Sequence, residues 1–200
     1  MKELHGGVMK PVLGFGTWLY PAEKLKGVLK MAIKDYGYRH VDTAKLYKNE
    51  EIVGQAINES IKEGVVKRED MFITTKLWID GRGRVEEELK ESLKRLGTDY
   101  VDLYVIHFMI PDINIDTLEV KKDSILDVWR EMEKCQLKGL CRAIGVSNCT
   151  TLMMMEILSF CEIKPASNQI ELHPYLTLPD VHEFHRRFEI PLEAYSPLNP

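Results

Sequence analysis

Two kinds of segment alternate along the whole chain, and this alternation restricts the possible folds more than any other feature. The first kind is short, apolar and rich in β-branched and aromatic residues. It recurs at Val12 to Gly16, Tyr38 to Val41, Met71 to Thr75, Val101 to Ile106, Ala143 to Val146, Ser167 to Ile170 and Pro191 to Ala194. Apolar runs this short and this continuous predict strands buried on both faces, as in a parallel sheet. The second kind repeats its apolar residues every three or four positions. Val85, Leu89, Leu93 and Leu96 form one such stripe, with Glu and Lys opposite. Leu25 to Ile33, Ile52 to Ile61, Ile125 to Leu137, Leu152 to Phe160 and Val181 to Phe188 read the same way. Gly37, Gly64, Gly97 and Gly139 each follow a helical run, where a left-handed C-cap is expected. Thr150 and Thr151 are N-cap candidates before Leu152.

Units of roughly 30 residues, each a strand and a helix, follow one another without a linker. Residues 1–200 therefore read as one domain, either a doubly wound sheet or a (β/α)8 barrel. A doubly wound dinucleotide fold needs G-x-G-x-x-G after its first strand. Gly14-Phe15-Gly16-Thr17-Trp18-Leu19 lacks the third glycine, and Gly81-Arg82-Gly83-Arg84 fails in the same way. The polar residues that end the strands favour the barrel. In order they are Thr17 and Trp18, Asp42 with Tyr47 just after, Lys76 and Trp78, His107, Ser147 and Asn148, Gln169 and Glu171, and Tyr195 and Ser196. In a barrel these ends converge on one rim, the face where barrel active sites lie; an open sheet would spread them over its width. The expected fold class is α/β, a (β/α)8 TIM barrel.

An aspartate at the end of a core strand needs a partner, because an unpaired buried carboxylate is costly. Convergence on the rim would give Asp42 to Lys76. The ammonium beside Tyr47 is then expected to lower the phenol's pKa from its ordinary value of about 10. His107 could orient the same substrate oxygen. Carbonyl reduction needs such a centre: a proton donor at oxygen while a hydride reaches carbon. Taken singly, these four are more simply a turn aspartate, a half-buried ring, a solvated lysine and a strand-end histidine. Their placement at the same end of three successive units is what points to chemistry. Trp18 and Trp78 fit either core packing or an aromatic wall around a pocket. Met153, Met154, Met155 and Phe160 read as helix core. His182 and His185, spaced i and i+3 without a third ligand nearby, read as helix surface, and no metal is expected.

Bulk properties exclude some classes. A net charge of -4 with no basic block argues against nucleic acid or an anionic membrane as the main partner. The most apolar stretch, Val101 to Ile110, is too short for membrane insertion. The N-terminus lacks the apolar core of a signal peptide. Four cysteines without C-x-x-C spacing read as reduced core thiols, so a cytoplasmic location is expected.

Several stretches together resemble the aldo-keto reductases: LGFGTW (Leu13 to Trp18), GYRHVDTAKLYKNEEIVGQAI (Gly37 to Ile57), FITTKLW (Phe72 to Trp78), IGVSN (Ile144 to Asn148), NQIELHPY (Asn168 to Tyr175) and AYSPL (Ala194 to Leu198). The resemblance covers essentially the whole chain. It implies a barrel that binds NADPH, with NADH not excluded, and reduces a small-molecule aldehyde or ketone to an alcohol. It implies Tyr47 as proton donor, supported by Asp42 and Lys76, with His107 orienting the substrate. Ser147, Asn148 and Gln169 match residues that hold the nicotinamide carboxamide, and Tyr195 matches the ring that stacks on it. Ser196 and Leu198 match positions along the pyrophosphate path, and Thr17 is counted with the cofactor contacts. Trp18, Trp78 and Phe108 are expected to line the substrate pocket. LHGGVMKPVL resembles a hairpin that plugs the barrel floor. Phe108-Met109-Ile110-Pro111 departs from the Trp and Pro that often follow the family's histidine. The sequence reaches Pro200 just past its seventh strand, whereas such barrels take about 250 residues. A closing strand, final helices and a 2′-phosphate grip are therefore expected to lie outside it. Two other readings stay open: a structural or regulatory subunit with a protein assembly partner, and Schiff-base chemistry at Lys76. The latter would need a neutral lysine, which pairing with Asp42 opposes.

Overall fold

The computed structural model describes residues 1–111, 113–114, 117–120 and 124–198. Strands β1 (Lys2–Glu3) and β2 (Met9–Lys10) form an antiparallel hairpin. Then come β3 (Phe15–Gly16), β4 (His40–Asp42), β5 (Phe72–Leu77) and β6 (Val101–Ile106). A second hairpin pairs β7 (Ile113–Asn114) with β8 (Glu119–Val120). Strands β9 (Cys141–Ser147), β10 (Asn168–Glu171) and β11 (Leu192–Tyr195) complete the set. The helices are α1 (Ala22–Asp35), α2 (Glu50–Lys62), α3 (Val85–Leu96), α4 (Ile125–Leu137), α5 (Thr151–Phe160) and α6 (Pro179–Arg187).

Seven strands make one parallel sheet in the order β3-β4-β5-β6-β9-β10-β11. It curls into a near-closed barrel with β3 and β11 at its two edges. The curl is visible in contacts across the lumen. Gln169 of β10 reaches Asp42 of β4 at 2.9 Å, and Lys10 of β2 pairs with Glu193 of β11.

The residue patterns explain the elements. Every residue of β5 and β6 is buried, as the continuous apolar runs require. Val85, Leu89, Leu93 and Leu96 of α3 are all buried, each gaining about 1.5–3 kcal/mol over exposure. Gly97 ends that helix at φ +64°, its N–H bonded to the Leu93 carbonyl, and Gly37, Gly64 and Gly139 also have positive φ. Thr150 caps α5 by accepting from the Met153 N–H.

Three expectations are corrected. The strand expected from Val12 shortens to Phe15–Gly16, leaving Val12 and Leu13 exposed, because β3 is an edge with a neighbour on one side only. Met154 is buried but Met155 is exposed, since helical geometry turns adjacent residues onto different faces. His185 is buried rather than on the surface, bonded to Asn168 at 3.0 Å and to the Val181 carbonyl at 2.9 Å. Cys135, Cys141 and Cys149 are buried thiols, with Cys161 half-buried.

Two packing details have measurable consequences. Gly54 of α2 lies against the Leu96 backbone, and a Cβ there would stand 2.3 Å from the Leu96 oxygen. His40 is buried in the lumen one layer below Asp42, bonded to Thr74 Oγ1 at 3.0 Å. Burial, aided by the nearby Lys10 charge, pushes its pKa down to about 3. Gly54→Ala is expected to cost about 1–3 kcal/mol in urea unfolding, because α2 and α3 must separate; an unchanged midpoint would contradict this packing. The unfolded chain protonates His40 near pH 6.5 while the folded one resists to about 3, so stability should fall as pH drops through that window. Replacement His40→Asn should flatten the slope of unfolding free energy against pH there.

Candidate active site

Strand β4 ends at Asp42, and the chain then turns through Thr43 and Ala44 into a short 3₁₀ helix, Lys45–Tyr47. Lys48, at φ +54°, closes that helix and returns the backbone to α2. The turn is braced from behind. Thr17 donates to the Asp42 carbonyl through both its N–H and its hydroxyl, each at 3.0 Å. Asn49 accepts from Thr43 Oγ1 at 2.8 Å and donates to the Thr17 carbonyl at 2.8 Å. Glu50, also buried, accepts from Thr75 Oγ1 at 2.5 Å and pairs with Arg95 at 2.7 Å. Asn49 and Glu50 are not among the candidate residues that the sequence marks. Their available signal was two polar residues just past Lys48, where a helix start explained them sufficiently.

Lys76 points inward from β5, its side chain fully buried. Its Nζ bonds Asp42 Oδ1, the Thr43 carbonyl at 3.0 Å and the Tyr47 hydroxyl at 3.1 Å, which uses all three ammonium hydrogens. His107 follows β6, its ring centroid 5.6 Å from that of Tyr47 and edge-on to it. Trp18 lies 4.8 Å from the Tyr47 ring, and Trp78 lies 5.2 Å from His107 and 5.7 Å from Phe108. The structure thus brings Asp42, Tyr47, Lys76, His107 and three aromatic rings into one cluster.

The electrostatics differ from expectation at one point. Burial raises the Tyr47 pKa, and the Lys76 ammonium opposes this without overcoming it, so the phenol lies above its ordinary value. The expected lowering is corrected: desolvation of the phenolate outweighs a single neighbouring cation that is already paired with Asp42. For Lys76 the balance goes the other way. Burial disfavours the ammonium, but Asp42 and Tyr47 together more than compensate, and its pKa is raised. His107, buried and near Lys76, is pushed down to about 4 and is neutral at physiological pH.

The facing rim is built from β9, β10 and β11. Ser147 Oγ donates to the Gln169 carbonyl at 2.8 Å. Asn148, in the left-handed region at φ +53°, donates to the His107 carbonyl at 3.0 Å and accepts from the Tyr195 hydroxyl at 2.9 Å. A cavity of about 1470 Å³ is bordered at the rims by Asp42, Tyr47, His107, Asn148, Gln169 and Tyr195 and extends past β3 and β11 to the N-terminal hairpin at Lys2, Glu3 and Lys10. Trp18, Phe108, Ser147 and Ser196 also face it. Lys76, Thr17, Trp78 and Leu198 do not: Lys76 and Thr17 are buried behind Asp42, and Leu198 projects into solvent at 93% exposure.

His40, Asp42 and Glu193 bring potential ligand atoms within 4.8 Å of one another. Both carboxylates are already paired, with Lys76 and Lys10, so their charge is balanced without a cation. Among the described residues no helix is long and apolar enough to cross a membrane.

The chain is similar to several known proteins. The sequence pattern of the Aldo/keto reductase family matches residues 12–200. The chain is 39% identical to an NADP-dependent D-sorbitol-6-phosphate dehydrogenase of Malus domestica, over 98% of this chain and 67% of that protein. It is 40% identical to an aldose reductase of Encephalitozoon cuniculi, over 98% of this chain and 68% of the relative. Its fold is similar to a Bombyx mori aldo-keto reductase solved in complex with NADP, at a TM-score of 0.91 and 38% identity, covering 98% of this chain and 65% of that one. A Schistosoma japonicum aldose reductase superposes at a TM-score of 0.92 with 35% identity, covering 98% of this chain and 68% of that one. The chain spans about two thirds of the length of these proteins. A match that runs through all seven strands of the curled sheet, at this identity and this structural agreement, places the chain in the aldo/keto reductase family.

Proposed function

We propose that the site reduces aldehydes or ketones to alcohols with a nicotinamide cofactor, and that residues 1–200 act together as one barrel-like unit. One observation carries the reading: the Tyr47 hydroxyl borders the cavity and rests 3.1 Å from an ammonium that is itself locked to a carboxylate. A carbonyl oxygen placed between Tyr47 and His107 would accept the phenol proton. Negative charge left on the phenolate meets the Lys76 ammonium, and Asp42 keeps that ammonium protonated. The raised pKa of Tyr47 keeps the proton on the resting phenol. A neutral His107 offers an N–H to the substrate oxygen without adding charge.

A bound reduced nicotinamide would supply the hydride. The opposite rim fits its carboxamide: Asn148, Gln169 and Ser147 line the cavity there, and Gln169, with one N–H on Asp42, keeps a second N–H and a carbonyl oxygen to serve it. Tyr195 stands beside them with an aromatic face, and Ser196 continues the rim. The relatives' names support this choice: one is NADP-dependent, and a xylose reductase of Candida parapsilosis, 37% identical, is NADH-dependent. Trp18 and Phe108 give the carbonyl side an aromatic lining, which suits small apolar substrates.

Tyr47→Phe should lower turnover of a small aromatic aldehyde by about 10²–10⁴-fold while the melting temperature holds, read as loss of NADPH consumption. Unchanged turnover would remove Tyr47 from the donor role. Lys76→Met leaves the half-buried Asp42 carboxylate without its counter-ion, and urea unfolding should show a loss of up to about 3 kcal/mol. Asp42→Asn in the same chain should recover part of that loss; no recovery would mean the two residues act separately.

A further inference from the structure

Asp42 is held at both of its carboxylate oxygens. Lys76 takes Oδ1, and Gln169 Nε2 donates to Oδ2 at 2.9 Å from the far side of the lumen. Gln169 is itself well fixed. It is 5% exposed, and its backbone carbonyl accepts from Ser147 Oγ at 2.8 Å and from the Asn148 N–H at 2.9 Å. A primary amide has two N–H donors and a carbonyl oxygen. Asp42 uses one donor, and Gln169 still borders the cavity.

We propose that Gln169 is a positioning residue of the proton-donating centre, one that fixes the second oxygen of Asp42 and so joins the carboxamide-facing rim to the Tyr47–Lys76 pair. This rests on the reading of Tyr47 as the donor. Gln169 touches no reacting atom of the carbonyl; it acts through Asp42 and Lys76. A carboxylate held at one oxygen can turn about its terminal torsion, which is broad and soft. Held at both, it keeps Oδ1 on Lys76, and Lys76 keeps its remaining hydrogens on the Thr43 carbonyl and on Tyr47. Through this residue the cofactor side and the acid side share one rigid hydrogen-bonded path.

Gln169→Glu preserves shape and makes the donor depend on protonation. The charged groups facing position 169 are Asp42 with Lys76 behind it, and Glu193, its register neighbour on β11, paired with Lys10 and lying 3.9 Å from His40. Two carboxylates at hydrogen-bond distance share a proton, which raises the apparent pKa of the pair above the ordinary value of about 4. In protein labelled with ¹³C at aspartate Cγ, the Asp42 signal, assigned with Asp42→Asn, should acquire a titration step above that range in Gln169→Glu. Neither the unsubstituted protein nor Gln169→Leu should show that step. Carbonyl turnover by Gln169→Glu, compared with itself across pH, should fall about ten- to a hundredfold as pH rises through the step, the worth of one hydrogen bond to a charged group. Gln169→Leu should be reduced at every pH. An Asp42 signal indifferent to the Glu substitution overturns the proposal. So does a kcat pH profile that stays unchanged while only cofactor affinity weakens, since Gln169 would then serve the cofactor alone. The NMR step without any carbonyl turnover by the unsubstituted protein would overturn the reductase reading and keep the Gln169–Asp42 link, so the two ideas fail separately.

Discussion

A lysine ammonium with no exposed surface is the constraint around which this structure is arranged. Taken out of water, such a charge is costly unless a counter-ion and further acceptors surround it. The sheet register supplies them. Parallel pairing sets Asp42 of β4 level with Thr74 of β5, and Lys76, two residues on, points to the same face one step nearer the rim. The 3₁₀ turn after β4 then brings Tyr47 back over the ammonium. A slip of one residue between β4 and β5 would turn one partner out of the lumen. The chemistry therefore depends on register, and register depends on the buried apolar residues that β4 and β5 offer the helices outside.

The same burial acts differently on each titratable group. Of the four groups in the lumen, it raises Tyr47 and lowers His107 and His40, and it is overcome at Lys76, where a carboxylate is in direct contact. The lumen thus holds charge only where the charge is paired. The pattern recurs one layer below, where Lys10 of the N-terminal hairpin meets Glu193 of β11 beside neutral His40. Asp102 shows a third version at the starts of the strands, buried between Arg68 and Arg142 and accepting from the Ile73 N–H. That end of a barrel serves stability, and these contacts lie away from the cavity.

Much of the fold was legible because periodicity reports burial directly. Helices α3 and α4 span the same residues that spacing predicts, as does β6, and all four C-terminal glycines adopt positive φ. Failures arose where burial depends on neighbours distant in sequence. Val12 and Leu13 are apolar enough for a strand, yet lie exposed just before the edge strand β3. His185 carries no local mark of the Asn168 side chain that buries it. Convergence of the candidate residues followed from strand ends, but the braces behind them, Asn49 and Glu50, did not. Their partners Thr17, Thr43, Thr75 and Arg95 come from separate elements.

The sequence by itself determined the alternation of strands and helices, and hence a rim on which Asp42, Tyr47, Lys76 and His107 had to gather, because side-chain periodicity and strand direction are local properties of the chain. Only the tertiary structure decided how those groups behave. Whether Tyr47 titrates above or below an ordinary phenol, and whether Gln169 can reach the free oxygen of Asp42, depend on desolvation and on distances across the lumen. Those quantities are set by the curvature of the whole sheet, which no single stretch of residues encodes.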